Sequence, residues 1–283
     1  MAQPQSQAEI VEKMVVTFDI CSSTKILEQL IARNTIQAWC EVLNSIEKLL
    51  RKRLCELKGD LYKFTGDGWI MLFDLDEKSV SGLMCLIKDL SECYETLFEQ
   101  TITNKIDDPH GFTTGLTFGI DHGKLVRLPM NGENEYIGRP INIACRLQGA
   151  IDEMDFKGGY RVLLSNVTYF EFSQSFSERF PDKVRKSLKN VFGGSDLTCY
   201  RVVALEPPFR IVSARYGHGA DWADVKAKCI ELTKDNKLEI KVTNDVLGCH
   251  PAKGIGKTLV VGYRANGSDY KKEFEEKSEA RLP

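Results

Sequence analysis

Of the 283 residues, no apolar run approaches the ~20 needed to cross a bilayer. The opening MAQPQSQAEIVEKM is polar and lacks the basic and apolar regions of a signal peptide, so a cytoplasmic protein away from the membrane is expected. Neither sign of charge is in excess: 38 Lys+Arg stand against 40 Asp+Glu, a formal net charge of −2. Nucleic-acid binding needs clustered positive charge, and this balance argues against it. Histidines number only four, and none of the nine cysteines is spaced Cys-x-x-Cys. A zinc site or disulfide framework is therefore not expected. Cys85 in GLMCLI and Cys145 in NIACRL instead read as buried free thiols. With 42% hydrophobic residues the chain is globular, of a length for one large domain or two smaller ones.

Residues 14–20, MVVTFDI, are a short β-branched run that reads as a buried strand. Ser22, Ser23 and Thr24 are helix N-cap candidates, and apolar spacing predicts one long helix to about Cys55. LYKFTGDGWIMLF (61–73) reads as a hairpin with an Asp-Gly turn, followed by a helix over about 77–98. TTGLTFGI (113–120) returns to strand, and residues 124–137 form a second, projecting hairpin about Asn131-Gly132. A helix with Pro140 in its first turn runs to about Ile151, and strands follow near 160–164 and 197–205. The pattern is β-α-β-β-α-β, an α+β sandwich with helices on a mostly antiparallel sheet. Pro207-Pro208 then separates residues 1–206 from a small, mostly β domain over 209–283, with strands at 210–214, 238–243, 258–264 and 270–275 around a helix at 221–232.

Four stretches place charge or polarity where chemistry could use it. Asp19 ends the first strand and Asp67 occupies the hairpin turn. Alone, each reads as a cap or turn residue; together, two carboxylates at neighbouring strand and turn ends can hold Mg²⁺ or Mn²⁺ through oxygen. The amides of Cys21 to Thr24 would point from a helix N-terminus toward bound phosphates. In YIGRPINIACRLQGA, Asn142 and Arg146 are four residues apart and share one helix face. Such a pair can hydrogen-bond a ribose and stabilise developing phosphate charge. Lys189, in VRKSLKNVFGGSDLTCYRVV, precedes the last strand of this part.

In this order, the four stretches resemble the class III nucleotidyl cyclases over roughly residues 12–205. FDICSST is similar to the family's metal-binding strand, KFTGDGWIMLF to its Gly-Asp hairpin, IGRPINIACRL to its Gly-x-x-x-Asn-x-Ala-x-Arg helix and LKNVFGGSDLTCYRV to its closing Lys-containing stretch. The resemblance implies the ferredoxin-like βαββαβ catalytic fold and two divalent ions, Mn²⁺ or Mg²⁺, on Asp19, Asp67 and the Ile20 carbonyl. It implies that Asn142 orients the ribose, Arg146 stabilises the transition state and Lys189 holds the terminal phosphates, with Phe18 beside the substrate. Because the metal aspartates of one protomer face the Asn and Arg of the other in this family, it implies a homodimer with shared sites, the 124–137 hairpin serving as its arm. In one respect the chain departs from the pattern. Leu116-Thr117-Phe118 stands where many members carry an arginine, which leaves one phosphate contact unassigned.

By the same resemblance, base choice falls to Lys63 and Glu135, a Lys-plus-acid pair that suits adenine or cytosine. Tyr62 adjoins Lys63, and a one-residue shift in hairpin register would bring it to the base, where it narrows the pocket for a single ring. ARYGHGADWADVKAKC and LGCHPAKGIGKTLVVGYR resemble the AGS-C sensor domain that accompanies some cyclases of bacterial Pycsar anti-phage systems, which make cyclic UMP or cyclic CMP. The expectation is a pyrimidine cyclase, UTP before CTP and ATP, whose product is read by a separate cyclic-nucleotide-binding effector. A degenerate cyclase fold acting as a nucleotide-binding regulator is the non-enzyme alternative. Gly254-Ile255-Gly256-Lys257-Thr258 mimics the end of a P-loop, but Pro251 stands where that motif needs glycine.

Overall fold

A computed structural model describes residues 8–283, apart from 108, 110–112, 131, 153–154, 157–158, 180, 192–193, 205–208, 235 and 266–267. Asn131 and Pro207-Pro208 lie outside the described residues. The chain divides into two compact units, Met1–Ile151 with Tyr160–Leu205, and Asp152–Gly159 with Glu206–Pro283.

The first unit is built on a mixed sheet. Its strands are β1 (Glu9–Ile20), β2 (Gly59–Phe64), β3 (Gly68–Phe73), β4 (Leu116–Met130), β5 (Glu133–Ile137), β6 (Tyr160–Ser165), β7 (Asp182–Lys186) and β8 (Leu197–Val203). They run in the order β2-β3-β1-β4-β6-β8-β7, with β5 paired to β4. Only β4 and β6 pair in parallel; the other paired strands of this sheet are antiparallel. β1 shows why the sheet is two-sided. Met14, Val16, Phe18 and Ile20 point into one core, under α1 (Ser23–Ala32), α2 (Gln37–Leu57) and α3 (Glu77–Leu97). Val15 alternates into a second core, shared with Ala144 of α4 (Arg139–Gln148). One helix thus covers the face opposite the other three, in an α+β sandwich.

The close seat of α4 depends on Gly119. A Cβ there would lie 1.9 Å from the Ala144 carbonyl oxygen and 2.5 Å from the Gln148 amide nitrogen. Gly119→Ala is expected to destabilise the protein by about 3 kcal/mol, read as a lowered thermal unfolding midpoint. An unchanged midpoint would mean that α4 can lift from the sheet without loss.

Several local expectations are corrected. The long helix over 22–55 is two helices, because Asn34 turns left-handed at φ 55° and Thr35 donates its amide and its hydroxyl to the Leu30 carbonyl. The helix after Pro140 ends at Gln148 rather than Ile151. β7, with the short helices α5 (Asn166–Glu171) and α6 (Ser173–Phe176), was not expected. The sequence DKVRK gives β7 almost no apolar alternation to read. Nor are the cysteines uniformly buried: Cys199 and Cys229 are, but Cys40, Cys55 and Cys85 are exposed and the other four half-buried. In GLMCLI an amphipathic helix can bury only one stripe, and Cys85 falls outside it.

In the second unit, β9 (Phe209–His218), β10 (Asp221–Asp224), β12 (Thr258–Ala265) and β13 (Ser268–Glu275) form a sheet of order β10-β9-β12-β13. β11 (Leu238–Lys241) pairs β14 (Glu279–Leu282). The helix expected over 221–232 begins only at Lys226, because residues 221–224 turn back at Gly219 and pair with β9. Lys257, the P-loop mimic, is 4% exposed and faces Glu276 at 3.5 Å and the Ile255 carbonyl at 3.3 Å, so its ammonium serves the fold. Among the described residues no helix is long and apolar enough to cross a membrane.

Candidate active site

Asp19 ends β1 opposite Gly68, the residue after Asp67. Any side chain at 68 would drive its Cβ to 1.9 Å from the Phe18 carbonyl oxygen, so glycine lets the turn close on the strand end. The Asp67 carbonyl accepts from the Ile20 amide at 3.2 Å, and its carboxylate oxygen Oδ2 accepts a hydrogen bond from the Ser23 hydroxyl. This places two carboxyl groups side by side. Burial, the hydrogen bond to Asp67 and the neighbouring Asp67 charge together push Asp19 up to about 7, although the Ile20 amide pulls it down. Such a pair disfavours two negative charges until a cation is supplied. Among the described residues no three His, Cys, Asp or Glu groups converge on one point. An ion here would depend on two carboxylates, a carbonyl, water and substrate oxygens, a hard donor set that fits Mg²⁺ or Mn²⁺.

Three expectations about this end of the sheet are corrected. The Cys21 amide is donated to the Gly115 carbonyl at 2.9 Å and is not offered to phosphate. Ser22, at φ 58°, caps α1 without a side-chain bond, its hydroxyl going instead to the Thr113 carbonyl at 2.8 Å. Phe18 cannot touch substrate through its ring, which is 1% exposed and packed 5.6 Å from Trp69 and 5.5 Å from Phe118. Strand alternation sends residue 19 to one face and residue 18 to the core. Ser23 was read only as a cap candidate. Its hydroxyl in fact orients Asp67, a role that the serine-rich ICSST hints at without specifying.

Asn142 and Arg146 are both exposed on α4, while Pro140, Ile143, Ala144 and Leu147 of that helix are buried. The Gln148 amide, donating 2.8 Å to Thr117 Oγ1, ties the end of the helix to β4. Lys189 is exposed in a turn that includes Asn190 at φ 58°, between β7 and β8. Among the described residues, no hydrogen bond or ion pair joins Asp19 or Asp67 to Asn142, Arg146 or Lys189.

Tyr62, Lys63 and Glu135 do converge. β2 pairs Leu61 with Met71 but Lys63 with Ile70, so Tyr62 is the extra residue of a bulge. The bulge brings Tyr62 and Lys63 to the same carboxylate. The Tyr62 hydroxyl donates to Glu135 Oε2 at 2.5 Å and accepts the Tyr136 amide at 3.0 Å. Lys63 Nζ lies 3.5 Å from the same Oε2. Burial and the Glu135 hydrogen bond raise the Tyr62 phenol, while that hydrogen bond, outweighing some desolvation, holds Glu135 below the usual carboxylate range. The two rings of Tyr62 and Tyr136 meet edge to face at 5.2 Å. An open groove of about 400 Å³ adjoins the trio, lined by Tyr62, Lys63, Phe64 and Trp69 and by Asn44 and Arg51 of α2.

No protein-family model matches the chain, and no curated protein does. Solved structures match its fold. It is similar to the adenylyl cyclase CyaB from P. aeruginosa, at 20% identity, covering 71% of this chain and 98% of that one with a TM-score of 0.53. A guanylyl cyclase structure matches at 16% identity over 72% of this chain and 97% of its own, TM-score 0.52. Adenylate cyclases from Trypanosoma brucei in their monomeric state match at 17% over 68% and 90%, TM-score 0.50. The first unit therefore has the class III nucleotidyl cyclase fold.

Proposed function

We propose that the chain is a class III nucleotidyl cyclase that converts a pyrimidine nucleoside triphosphate, UTP before CTP, to its 3′,5′-cyclic monophosphate and pyrophosphate. On this fold, the observation that supports cyclisation is the Asp19–Asp67 carboxylate pair together with the Asn142–Arg146 face in one sequence. In the reaction the ribose 3′ oxygen bonds to the α-phosphorus as the bond to the pyrophosphate oxygen breaks. Asn142 orients the ribose and Arg146 meets the charge that develops on phosphorus oxygens. Two divalent ions held by Asp19, Asp67 and the Ile20 carbonyl would supply charge neutralisation and a more acidic 3′ hydroxyl. Lys189 would hold the terminal phosphates from its exposed turn.

Each chain carries both half sites, and the proposed active form is a homodimer with two shared sites. The projecting β4–β5 hairpin supports this reading. Ile10, Val126 and Ile137 stand in register across β1, β4 and β5, and all three are exposed.

The pyrimidine reading rests on the Tyr62 bulge. The phenol is held by two hydrogen bonds beside Glu135, where it would narrow the pocket for a single-ring base. The Lys63–Glu135 pair favours the second reading, an adenylate cyclase, since a carboxylate accepts an exocyclic amine. Purified protein incubated with Mn²⁺ and each of ATP, GTP, CTP and UTP, with products identified by mass, tests both. Cyclic UMP or CMP is expected; cyclic AMP would overturn the pyrimidine assignment, and no product from any of the four, in vitro or in phage-infected cells, would overturn the cyclase. Tyr62→Phe removes the phenol that organises Glu135 and should raise KM for the preferred pyrimidine nucleotide about 5–10-fold. An unchanged KM would remove Tyr62 from base selection. The further reading is that residues 209–283 sense a phage component, residues 1–206 being the cyclase, and that a separate cyclic-nucleotide-binding effector answers the product. Deleting 209–283 should abolish phage-triggered nucleotide production.

A further inference from the structure

The sequence leaves one phosphate contact of the cyclase pattern without a residue, because Thr117 stands on β4 where a basic side chain would serve. Strand order supplies a basic neighbour from elsewhere in the chain. Asp19 pairs with Thr117 across β1 and β4. On the other side β4 runs parallel to β6 with Phe118 opposite Val162, so Thr117 and Arg161 come one residue earlier on adjacent strands. Gly68, Asp19 and Thr117 therefore form one row across β3, β1 and β4, and Arg161 lies beside that row on β6, just before the first β4–β6 pair, at the end of the sheet where the carboxylate pair sits. Two strand spacings, about 10 Å, separate the Asp19 and Arg161 backbones. An extended arginine on one side and a metal-bridged phosphate on the other readily span that distance.

Arg161 is itself placed by a fault in the ladder. β6 pairs Tyr160 with Val203 but Val162 with Val202, so Arg161 is a bulged residue, a device that re-aims a side chain. Its side chain is 17% exposed, and Nη1 donates to Glu95 Oε1 of α3 at 2.7 Å. The Cys21 Sγ, two residues from Asp19, lies 3.9 Å from Thr117 Oγ1. A planar guanidinium presents five donors in a fork that matches phosphate oxygens.

We infer that Arg161 is a polyphosphate-binding residue of the active site, contacting the β- and γ-phosphates of the nucleotide whose metal ions Asp19 and Asp67 hold. This inference rests on the cyclase reading. It assigns to β6 a role that the four motif stretches do not contain.

The test compares wild type, Arg161→Ala, Arg161→Lys and Glu95→Ala for KM of the nucleotide and for inhibition by inorganic pyrophosphate, all with Mn²⁺. Arg161→Ala should raise KM and the pyrophosphate inhibition constant together, each about 10–100-fold, and Arg161→Lys should recover part of both. Glu95→Ala, which breaks the same ion pair while keeping the guanidinium, should change either value less than about 3-fold. A pyrophosphate constant unmoved in Arg161→Ala, or a Glu95→Ala variant that reproduces the loss, would overturn the inference and leave Arg161 a structural ion-pair partner. If Arg161→Ala fails to fold, the Arg161→Lys and Glu95→Ala pair carries the same comparison. A wild-type protein that cyclises no nucleotide defeats the cyclase reading itself, and pyrophosphate binding by Mn²⁺-loaded wild type and Arg161→Lys, followed by calorimetry, then decides the site separately.

Discussion

Asp67→Ala is expected to lower nucleotide cyclisation by about 10³-fold or more, with no detectable cyclic product in an overnight incubation monitored by mass. The size follows from what Asp67 does at the strand end. It is one of two carboxylates in the Asp19 pair and the acceptor of the Ser23 hydroxyl. Without it an ion keeps one carboxylate and the turn loses its fastening to α1. The fold should survive, because Asp67 sits in a turn and its backbone bond to Ile20 is independent of the side chain. Far-ultraviolet circular dichroism should match wild type. Product formation above about a tenth of wild type would show that the carboxylate pair is not the metal centre.

Mixing two inactive variants should restore activity. Asp67→Ala and Arg146→Ala, each inactive alone, are expected to give about a quarter of wild-type activity when unfolded and refolded together in equal amounts. Half of the randomly assembled dimers are then mixed, and each mixed dimer has one complete site of two. The prediction follows from the separation in one chain between the carboxylate pair on β1 and the turn, and the exposed Asn142–Arg146 face of α4. It distinguishes shared sites from sites complete within a protomer, since the latter give no recovery at any ratio. Activity from the mixture at the level of neither variant's background would require the second copy to supply the missing half.

Asp19, Asp67, Asn142 and Arg146 could be nominated from the sequence because their signals are local. A carboxylate at the end of a β-branched run, an Asp-Gly turn and an i,i+4 polar pair on an amphipathic helix all depend on residues a few positions apart. Phe18 was named for its nearness in sequence to Asp19, and period-2 alternation sends its ring into the core. The α1–α2 break was missed for a related reason. The apolar spacing continues through it, and only the left-handed Asn34 interrupts the backbone.

What the sequence by itself determined is the chemistry available and the phase of most elements: the α+β order, the two acidic strand and turn ends, the polar face of α4, and the Lys63–Glu135 pair as an idea. Tertiary structure alone decided which of these groups meet. The bulge at Tyr62 exists only because β2 must pair with β3 on both sides of it, and it brings the phenol to Glu135 across a separation of 73 residues. The nearness of Asp19, Thr117 and Arg161 comes from strand order, with β4 between β1 and β6. Cross-strand neighbours are chosen by how the sheet buries its two faces as a whole, and no window of local sequence contains that information.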